Sequence, residues 1–535
     1  MHARDDTHEK IIQGLDVTAS LRARLDAFVA ENRSVKSENA RLEQELKALR
    51  IERDLYKERV LAQQRALFAA KSEQRAIAQR DLFFNEAEAL APSAGEPEAK
   101  KVEVTRHARA LGKRGRKPLD PGLPREVVRH ELPEAERLCP QDGSVLREIG
   151  VEVSEQLDII PAQVRVIRHE RVKYACACCG EGVRTAPAPA KLLPKGLLTE
   201  GALAWVITAK YQDALPLYRQ AALLNRFGGD IARNSLAYAV LRVGEAVQPI
   251  VNLLRDEFLE AKLLQGDETE LQVLKEDGRP AQAKSWLWLQ MSAGGAPPVR
   301  LFTYSPSRSA NTAMDLYQGA RGALLSDGYE VYAAVAQAHR LTHLGCWAHA
   351  RRRFIEAEAA IAKNDRRPEH PATRMLELIG GLYAIEQRVR DDELAPEAHH
   401  ALRQNESAAL IARIQAQLQA HLHATLPQSL LGRALHYLAG EWPKLVRFLE
   451  DARYPLDNNA AENAIRPFVI GRKNWLFADT VAGARASANL YSLIETAKAN
   501  GIEPYHYLRE LFGALPRATC LADYEALLPW KIGKR

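Results

Sequence analysis

Apolar residues recur in a heptad pattern between about residue 18 and residue 63. One seam position carries Leu21, Phe28, Val35, Leu42, Leu49 and Tyr56, and the other carries Leu25, Asn32, Asn39, Leu46, Arg53 and Val60. This spacing predicts a coiled coil, in which seam asparagines fix register and partner number at a cost in stability. We therefore assign residues 1–95 to oligomerisation and expect a homo-oligomer, most simply a homodimer. A single long solvated helix folded back on its own chain is the alternative.

Proline, glycine and basic residues replace the heptads between residues 96 and 130. From residue 100 to residue 129, ten basic residues stand against three acidic ones, and such a linker should neutralise DNA phosphates. Within it, Arg114, Arg116 and Lys117 belong to the sequence RGRKP, which resembles an AT-hook. An extended Arg-Gly-Arg of this kind lies in a narrow minor groove. A merely solvated basic linker is the alternative.

Two short cysteine motifs flank a segment with strand-like periodicity between residues 131 and 190. Cys139 and Asp142 belong to the first motif, and Cys176, Cys178 and Cys179 form the second. The pattern predicts a zinc-ribbon-like domain, because zinc prefers four tetrahedral ligands rich in sulfur. The candidate zinc ligands are Cys139, Cys176 and Cys179, with Asp142 or Cys178 as the fourth. A ribbon would normally have cysteine at position 142, so the same fold without metal is the alternative.

Residues 191–262 have helical periodicity and contain two helical segments joined by a turn at Phe227–Asp230. This arrangement has helix-turn-helix spacing. Arg226, Arg233 and Asn234 would lie at the end that faces DNA. A plain helical hairpin in a protein core is the alternative, since Gly-centred turns are common.

The periodicity changes to two after Gln265, and strands alternate with a helix through residues 263–345. We therefore predict an α/β core with an RNase H-like mixed sheet. Asp267 is predicted to end the first strand and Asp327 to end a later one. Carboxylates at neighbouring strand ends can bind two magnesium ions, which in phosphoryl chemistry lie about 3.5 to 4 Å apart.

A third carboxylate is needed, and the sequence DNNAAENAIRPFVIGRKNWLF supplies Glu462 at the start of a helix. In the same sequence Arg466, Arg472 and Lys473 offer cations for phosphates. The spacing from Asn459 to Glu462 is also that of a capping box. From spacing alone, Glu462 is therefore either a catalytic acid or a helix cap.

Strongly helical sequence between Asp327 and Glu462 predicts a helical insertion over residues 346–450. The core would resume over residues 451–500, and residues 501–535 would form a C-terminal domain. Cys346 and His349 at the start of the insertion are a pair too small for a zinc site. We assign them a supporting role, positioning Arg351, Arg352 and Arg353 for DNA.

The composition of the chain predicts its cellular compartment and the class of molecule that it binds. Apolar residues make up 46% of the chain and charged residues 27%, with a net charge of +6 that is concentrated locally. These values predict a folded protein that binds nucleic acid. The six cysteines do not form a secreted disulfide framework, and neither a signal core nor an apolar run of about 18 residues is present. We expect a cytoplasmic protein, associated with the nucleoid when bound to DNA.

Several motifs in one order resemble those of the DDE transposases of insertion-sequence family 66. They include GDET, SDGY, CWAHARRRF and DNNAAENAIRPFVIGRKNWLF, and others such as GRKPLDPGLPRE, CPQDG and SLIETAKANGIEPYHYL extend the resemblance over nearly the whole chain. The resemblance implies a catalytic triad of Asp267, Asp327 and Glu462 that binds Mg²⁺ or Mn²⁺. It also implies cleavage at the ends of an insertion sequence, strand transfer into target DNA, and accessory proteins from the same element.

Two other functions compete with a transposase. A DNA-binding regulator with an inactive core would need only the coiled coil, the basic linker and the helical region, but all three acids are present. An RNase H-like structure-specific nuclease would share the metal site but would not need so many flanking DNA-binding modules. Strand transfer separates this nuclease from a transposase.

Overall fold

The computed structural model describes residues 163–174, 184–294, 297–361 and 367–532, together with residues 22, 24–25, 27–46, 49, 56 and 127. The chain divides into two compact units. The larger unit comprises residues 1–82, 169–225 and 230–535. None of the helices in these described ranges is both long enough and apolar enough to span a membrane. Two sets of predicted site residues lie outside the described residues: Arg114, Arg116 and Lys117 of the linker, and Cys139, Asp142, Cys176 and Cys179 of the zinc ribbon.

Residues 27–46, near the N-terminus, form one continuous helix. Its seam side chains Phe28, Val35, Leu42 and Leu46 are 46–62% exposed. The helix agrees with the heptad pattern, whereas the coiled-coil pairing and the homo-oligomer stay predictions.

A short antiparallel hairpin precedes the main body of the chain. Its strands are β1 (Lys173–Tyr174) and β2 (Arg184–Thr185), and Lys173 is paired with Thr185. Four helices follow: α1 (Glu200–Tyr211), α2 (Leu217–Arg226), α3 (Arg233–Ala246) and α4 (Gln248–Glu260). Helix α3 buries Leu236, Val240 and Val243, which share one face because they are four and seven residues apart. A helix-turn-helix function for α2 and α3 stays a prediction.

The central element is a mixed sheet. Its strands are β3 (Leu263–Lys275), β4 (Lys284–Ala293), β5 (Arg300–Ser305), β6 (Ala323–Leu325) and β7 (Thr342–Leu344), in the order β5-β4-β3-β6-β7. Strands β3, β4 and β5 are antiparallel neighbours, and β6 and β7 run parallel to β3. Helices α5 (Ala310–Leu316) and α6 (Glu330–His339) provide the connections that parallel strands require. The predicted mixed sheet with helices is confirmed.

Helices cover the sheet and protect its edge. After the insertion come α12 (Asn459–Trp475), β8 (Ala478–Thr480), which pairs with the far end of β3, and α13 (Val481–Ala499). On α13, the Ser492 hydroxyl accepts a hydrogen bond from the Phe302 amide at 2.8 Å, and the Thr496 hydroxyl accepts one from the Arg300 amide at 3.0 Å. These bonds satisfy amides of the edge strand β5, which would otherwise be free to pair with another chain.

The predicted insertion is a helical body with a hydrophobic core of its own, centred on residues such as Trp347, Phe354, Leu382 and Leu438. Its elements are α7 (Trp347–Ala359), α8 (Pro371–Asp391), α9 (Pro396–Leu402), a π-helical turn (Arg403–Ser407), α10 (Ala408–Leu422), α11 (Leu430–Leu445) and a 3₁₀ turn (Val446–Leu449).

The chain ends in α14 (Pro504–Ala514), a 3₁₀ turn (Leu515–Arg517), α15 (Leu521–Glu525) and α16 (Pro529–Ile532). Tyr507, Leu511 and Leu528 from this region belong to the same hydrophobic core cluster as the sheet. The C-terminal residues therefore pack in the same hydrophobic interior as the sheet.

A buried ion pair joins the segments of the insertion. The guanidinium of Arg403, fully buried, donates two hydrogen bonds of 2.8 Å to the Glu386 carboxylate on α8. It also donates to the carbonyls of Phe448 at 2.7 Å and Asp451 at 2.8 Å. Burial by itself raises the pKa of Glu386, but the hydrogen bonds and charge of Arg403 outweigh burial and lower it. One side chain thus links α8, the π-helical turn and the 3₁₀ turn.

Replacing Arg403 tests this link. Arg403→Met should destabilise the insertion by about 3–5 kcal/mol, because the buried Glu386 carboxylate loses its guanidinium and keeps only the contact with His399 at 3.2 Å. The matched control is Arg388→Met, which breaks an ion pair with Glu406 whose side chains are 46% and 47% exposed, and it should cost about 0–1 kcal/mol. Urea unfolding followed by tryptophan fluorescence measures both, and equal costs for the two variants would contradict the account.

Candidate active site

Sheet register brings the two predicted aspartates together. In the parallel pairing of β3 with β6, Leu263 lies beside Ala323 and Gln265 beside Leu325. Two residues further along each strand direction come Asp267 and Asp327, at matching positions. The two carboxylates lie near each other, because the charge of Asp327 adds to burial in raising the pKa of Asp267. Asp327 also begins the next turn, because its Oδ1 accepts a hydrogen bond of 3.0 Å from the Tyr329 amide.

The prediction that Asp267 ends its strand is wrong. Strand β3 continues from Asp267 to Lys275, because β4 pairs with it as far as Gln272 on one side and β8 pairs with Val273 and Lys275 on the other. The partner strand β4 and the late strand β8 keep the chain extended, and sequence periodicity did not reveal β8. What ends near Asp267 is the pairing with β6, so the aspartate lies beside a gap in the sheet.

Asn458 fills that gap and joins the sheet to α12. Its Nδ2 donates to the Gly266 carbonyl at 2.9 Å, and its amide donates to the Cys346 thiol at 3.2 Å. The side chain is almost fully buried. Gly266 must be glycine here, because a Cβ would collide with the hydroxyl of Tyr317 and the ring of Tyr332. Asn458 therefore fixes the start of α12 against the residue that precedes Asp267.

Glu462 lies one helical turn after Asn458 and faces the aspartates. Its carboxylate is 3.3 Å from the Arg352 guanidinium and 3.7 Å from His349 Nε2. It does not act as a capping-box acid, because the Asn459 amide donates instead to the Asp457 carboxylate at 3.0 Å. The capping alternative for Glu462 is therefore not what the structure contains.

Electrostatics at this position favour a bound cation. The pKa of Asp267 is raised to about 8, mainly by burial and also by the charges of Glu268, Asp327 and Glu462. Glu462 Oε1 is buried and has no hydrogen-bond partner. A divalent cation would offset both the carboxylate repulsion and the unsatisfied oxygen, so these residues fit a hard metal ion. Across the described ranges, no three Asp, Glu, His or Cys side chains already form a ligand set, so rotation of the side chains would have to complete it.

The neighbouring Glu268 is neutralised separately. Arg308 donates to its Oε1 from Nε at 2.9 Å and also from a terminal nitrogen, and the Tyr332 hydroxyl donates to its Oε2 at 2.6 Å. The Arg308 guanidinium in turn stacks over the Tyr329 ring at 3.9 Å. Because successive strand residues point to opposite faces, Glu268 has these partners while Asp267 has the other acids.

Cys346 and His349 serve the site as structural residues. The Cys346 thiol accepts hydrogen bonds from the backbone amides of Asn458 and His349, and burial raises its pKa to about 12. Burial also lowers the pKa of His349, so the ring is neutral near pH 7. The thiol contacts Asn458, the residue that positions Glu462, and the predicted positioning of Arg351, Arg352 and Arg353 for DNA stays a prediction.

The predicted DNA-binding cations within the described residues lie in three places. Arg351, Arg352 and Arg466 line one cavity beside Glu462. Arg353 instead stacks over the Tyr437 ring at 4.1 Å. Arg472 and Lys473 lie in the last turn of α12, ten or more residues beyond Glu462, which is about 15 Å along a helix.

Sequence reasoning missed several residues that shape the site. Asn458 stood in the quoted DNNAAEN motif, and its position four residues before Glu462 was the available signal. Glu268 stood in GDET, but its partners Arg308 and Tyr332 are 40 and 64 residues away in the chain. No spacing rule links residues that only the fold brings together.

Comparisons with known proteins agree with this architecture. Residues 195–486 match the family model described as Transposase IS66 family, and residues 136–180 match the zinc-finger binding domain of transposase IS66. Residues 492–530 match the IS66 C-terminal element, and residues 55–128 match the model described as Transposase C of IS166 homeodomain. Together these matches define a DNA-binding transposase. The chain belongs to the IS66 transposase family.

Similar proteins come from Sinorhizobium fredii. The uncharacterized protein y4qI is 33% identical over 417 residues, which cover 76% of this chain and 75% of y4qI. The uncharacterized protein y4jD is 32% identical over 424 residues, which cover 76% of this chain and 81% of y4jD. The similarity thus spans most of each protein.

Alkylation of cysteines tests the structural role of Cys346. In the folded protein Cys346 is buried and Cys520 is exposed. Iodoacetamide at pH 8 should modify Cys520 readily and Cys346 at least about a hundredfold more slowly, because a buried protonated thiol reacts only when the structure opens. Peptide mass spectrometry measures both rates. Equal rates, or a Cys346 rate that rises when EDTA is added, would contradict a metal-independent structural thiol.

Proposed function

We propose that this chain is a DNA transposase that binds the ends of an insertion sequence and catalyses DNA cleavage and strand transfer. The observation that carries the proposal is that the charges of Asp327, which follows β6, and of Glu462, on the helix fixed by Asn458, both act on the buried carboxylate of Asp267 in β3. Family membership supports the same class of activity.

The core is proposed to be RNase H-like. The supporting feature is a sheet of three antiparallel strands followed by two strands parallel to β3, with helices as connections. Asp267 lies within β3, Asp327 follows the end of the adjacent strand β6 by two residues, and Glu462 comes from α12. The helical insertion separates Asp327 from Glu462 in sequence and contributes Arg351 and Arg352 beside the site.

Asp267, Asp327 and Glu462 are the proposed ligands of Mg²⁺ or Mn²⁺. A bound ion of this kind would supply the electrophile that activates water or a DNA 3′-hydroxyl and stabilises the leaving oxygen. Glu268, already neutralised by Arg308 and Tyr332, holds β3 in place and takes no direct part. Cleavage and strand transfer are both in-line displacements at phosphorus, so no covalent protein nucleophile is required.

DNA is proposed to bind across the positively charged parts of the chain. Arg351, Arg352 and Arg466 would contact phosphates next to the carboxylates, and Arg472 and Lys473 would contact phosphates further along α12. The linker cations Arg114, Arg116 and Lys117 would bind the minor groove. Cys139, Cys176, Cys179 and Asp142 are proposed to bind Zn²⁺ and to stabilise a second DNA-binding domain. A homo-oligomer formed through the N-terminal heptads and accessory proteins of the same element complete the proposal.

The direct test is cleavage and strand transfer on DNA that carries the element's own terminal repeats. With Mg²⁺ or Mn²⁺, Glu462→Gln should slow both reactions at least about a hundredfold, since a metal ion contributes several kcal/mol of charge stabilisation. DNA binding should persist. The matched control is Glu450→Gln, which changes an exposed acid at the end of the insertion and should leave both rates unchanged.

The remaining outcomes separate the alternatives. Cleavage without joining would identify a structure-specific nuclease. A native chain that binds these ends but never cleaves them, even with the element's other proteins present, would identify a regulator. Equal rates for the native chain and Glu462→Gln would remove Glu462 from the catalytic centre.

A further inference from the structure

A cavity of about 490 Å³ lies beside Glu462, between the insertion and the core. Three helices form its walls, and each contributes residues from one face. Arg351 and Arg352 come from α7, Gly380 and Tyr383 from α8, and Asn463 and Arg466 from α12. Residues three or four apart lie on the same side of a helix, so these side chains are directed to a common space.

The charge of the lining suits an anion. Three guanidiniums, those of Arg351, Arg352 and Arg466, line the cavity against the single carboxylate of Glu462. Guanidinium groups bind phosphate oxygens through two parallel hydrogen bonds, and the neutral amide of Asn463 adds a further donor. A phosphate group is therefore the chemistry that this lining recognises.

The size of the cavity excludes a double helix. A volume of about 490 Å³ corresponds to a sphere about 10 Å across. The major groove of B-DNA is about 12 Å wide, and the whole duplex is wider than this one groove. A single nucleotide can enter. Tyr383 lines the same space. A tyrosine ring suits a base, because bases stack on aromatic side chains.

Gly380 leaves room at the wall formed by α8. A Cβ at Gly380 would meet nothing within 4 Å, whereas a Cβ at the adjacent Gly381 would lie 2.9 Å from Leu410. Gly381 is thus packed against α10, and Gly380 faces the open cavity. Position 380 can therefore report what enters the cavity without disturbing the packing of the insertion.

We propose that this cavity binds one unpaired nucleotide of the DNA strand that passes the carboxylates, with its phosphate on the three arginines and its base beside Tyr383. The proposal rests on the proposed transposase function and makes it more specific. The insertion then has a task of its own, since α7 and α8 supply two of the three walls. Duplex DNA without an unpaired nucleotide would not fill the cavity.

A cysteine placed in the cavity tests this proposal on the full-length protein. Gly380→Cys is alkylated with iodoacetamide alone, with a single-stranded oligonucleotide of about twelve nucleotides, with a covalently closed duplex circle, or with inorganic phosphate. Peptide mass spectrometry gives the rate at position 380. The matched control is Gly440→Cys on α11, where a Cβ also meets nothing within 4 Å and which does not line the cavity.

The single-stranded oligonucleotide at about ten times its Kd should slow alkylation of Cys at position 380 about tenfold, because only unoccupied cavities react. The duplex circle and phosphate should protect it less than twofold, and position 440 should react alike in all four conditions. Equal protection by the duplex circle, protection by phosphate alone, or no protection would each overturn the proposal. Because protection requires no metal and no cleavage, its failure is distinct from failure of the proposed catalytic activity.

Discussion

The hydrogen bond from the Asn458 side chain to the Gly266 carbonyl is the contact on which the arrangement of the site depends. It occurs where β3 has lost its pairing with β6 and where an unpaired carbonyl would otherwise be buried, at a cost of about 1–3 kcal/mol. Asn458 also begins α12, so the same contact directs Glu462 toward Asp267. The Cys346 thiol holds the Asn458 amide from the other side. Asn458 thus contacts the gap in the sheet through its side chain, begins α12, and contacts the first residue of the insertion through its backbone amide.

The acidic side chains near this contact differ in the groups that surround them. Glu268 has a guanidinium and a phenol as hydrogen-bond partners, although burial still raises its pKa. Asp267 accepts a hydrogen bond from the Glu268 amide, and burial together with the charges of Glu268, Asp327 and Glu462 raises its pKa to about 8. Unbalanced buried charge is costly in a folded protein, and it persists where a ligand is expected to supply the missing charge. The arginines of the cavity lie next to this acidic centre. A DNA strand whose reacting phosphate approaches carboxylates is repelled by them, and neighbouring guanidinium groups offset that repulsion by binding the adjacent phosphates.

Local sequence patterns predicted the parts of this structure that are local. Period-two alternation after Gln265 indicated the sheet, and helical spacing indicated the insertion, because both patterns record which side of an element is buried. The same patterns placed the end of β3 too early, since β8, about 200 residues later, pairs with its far end. Capping-box spacing left the role of Glu462 open, and the structure rules out the capping box because the Asp457 carboxylate accepts the hydrogen bond of the Asn459 amide. Asn458 and Arg308 acquire their roles from contacts across 192 and 40 residues, which no window along the chain contains.

Binding of Mn²⁺, followed by electron paramagnetic resonance of the free ion, tests directly whether Asp267, Asp327 and Glu462 hold a metal ion. Asp267→Asn, Asp327→Asn and Glu462→Gln each remove one proposed ligand charge, and Glu268→Gln removes an adjacent acid that Arg308 and Tyr332 already occupy. We expect each of the first three variants to weaken Mn²⁺ binding at least about tenfold, the equivalent of about 1.4 kcal/mol. Glu268→Gln should bind Mn²⁺ like the native chain. Native-like binding by the three variants, or loss of binding only in Glu268→Gln, would contradict a metal site formed by Asp267, Asp327 and Glu462.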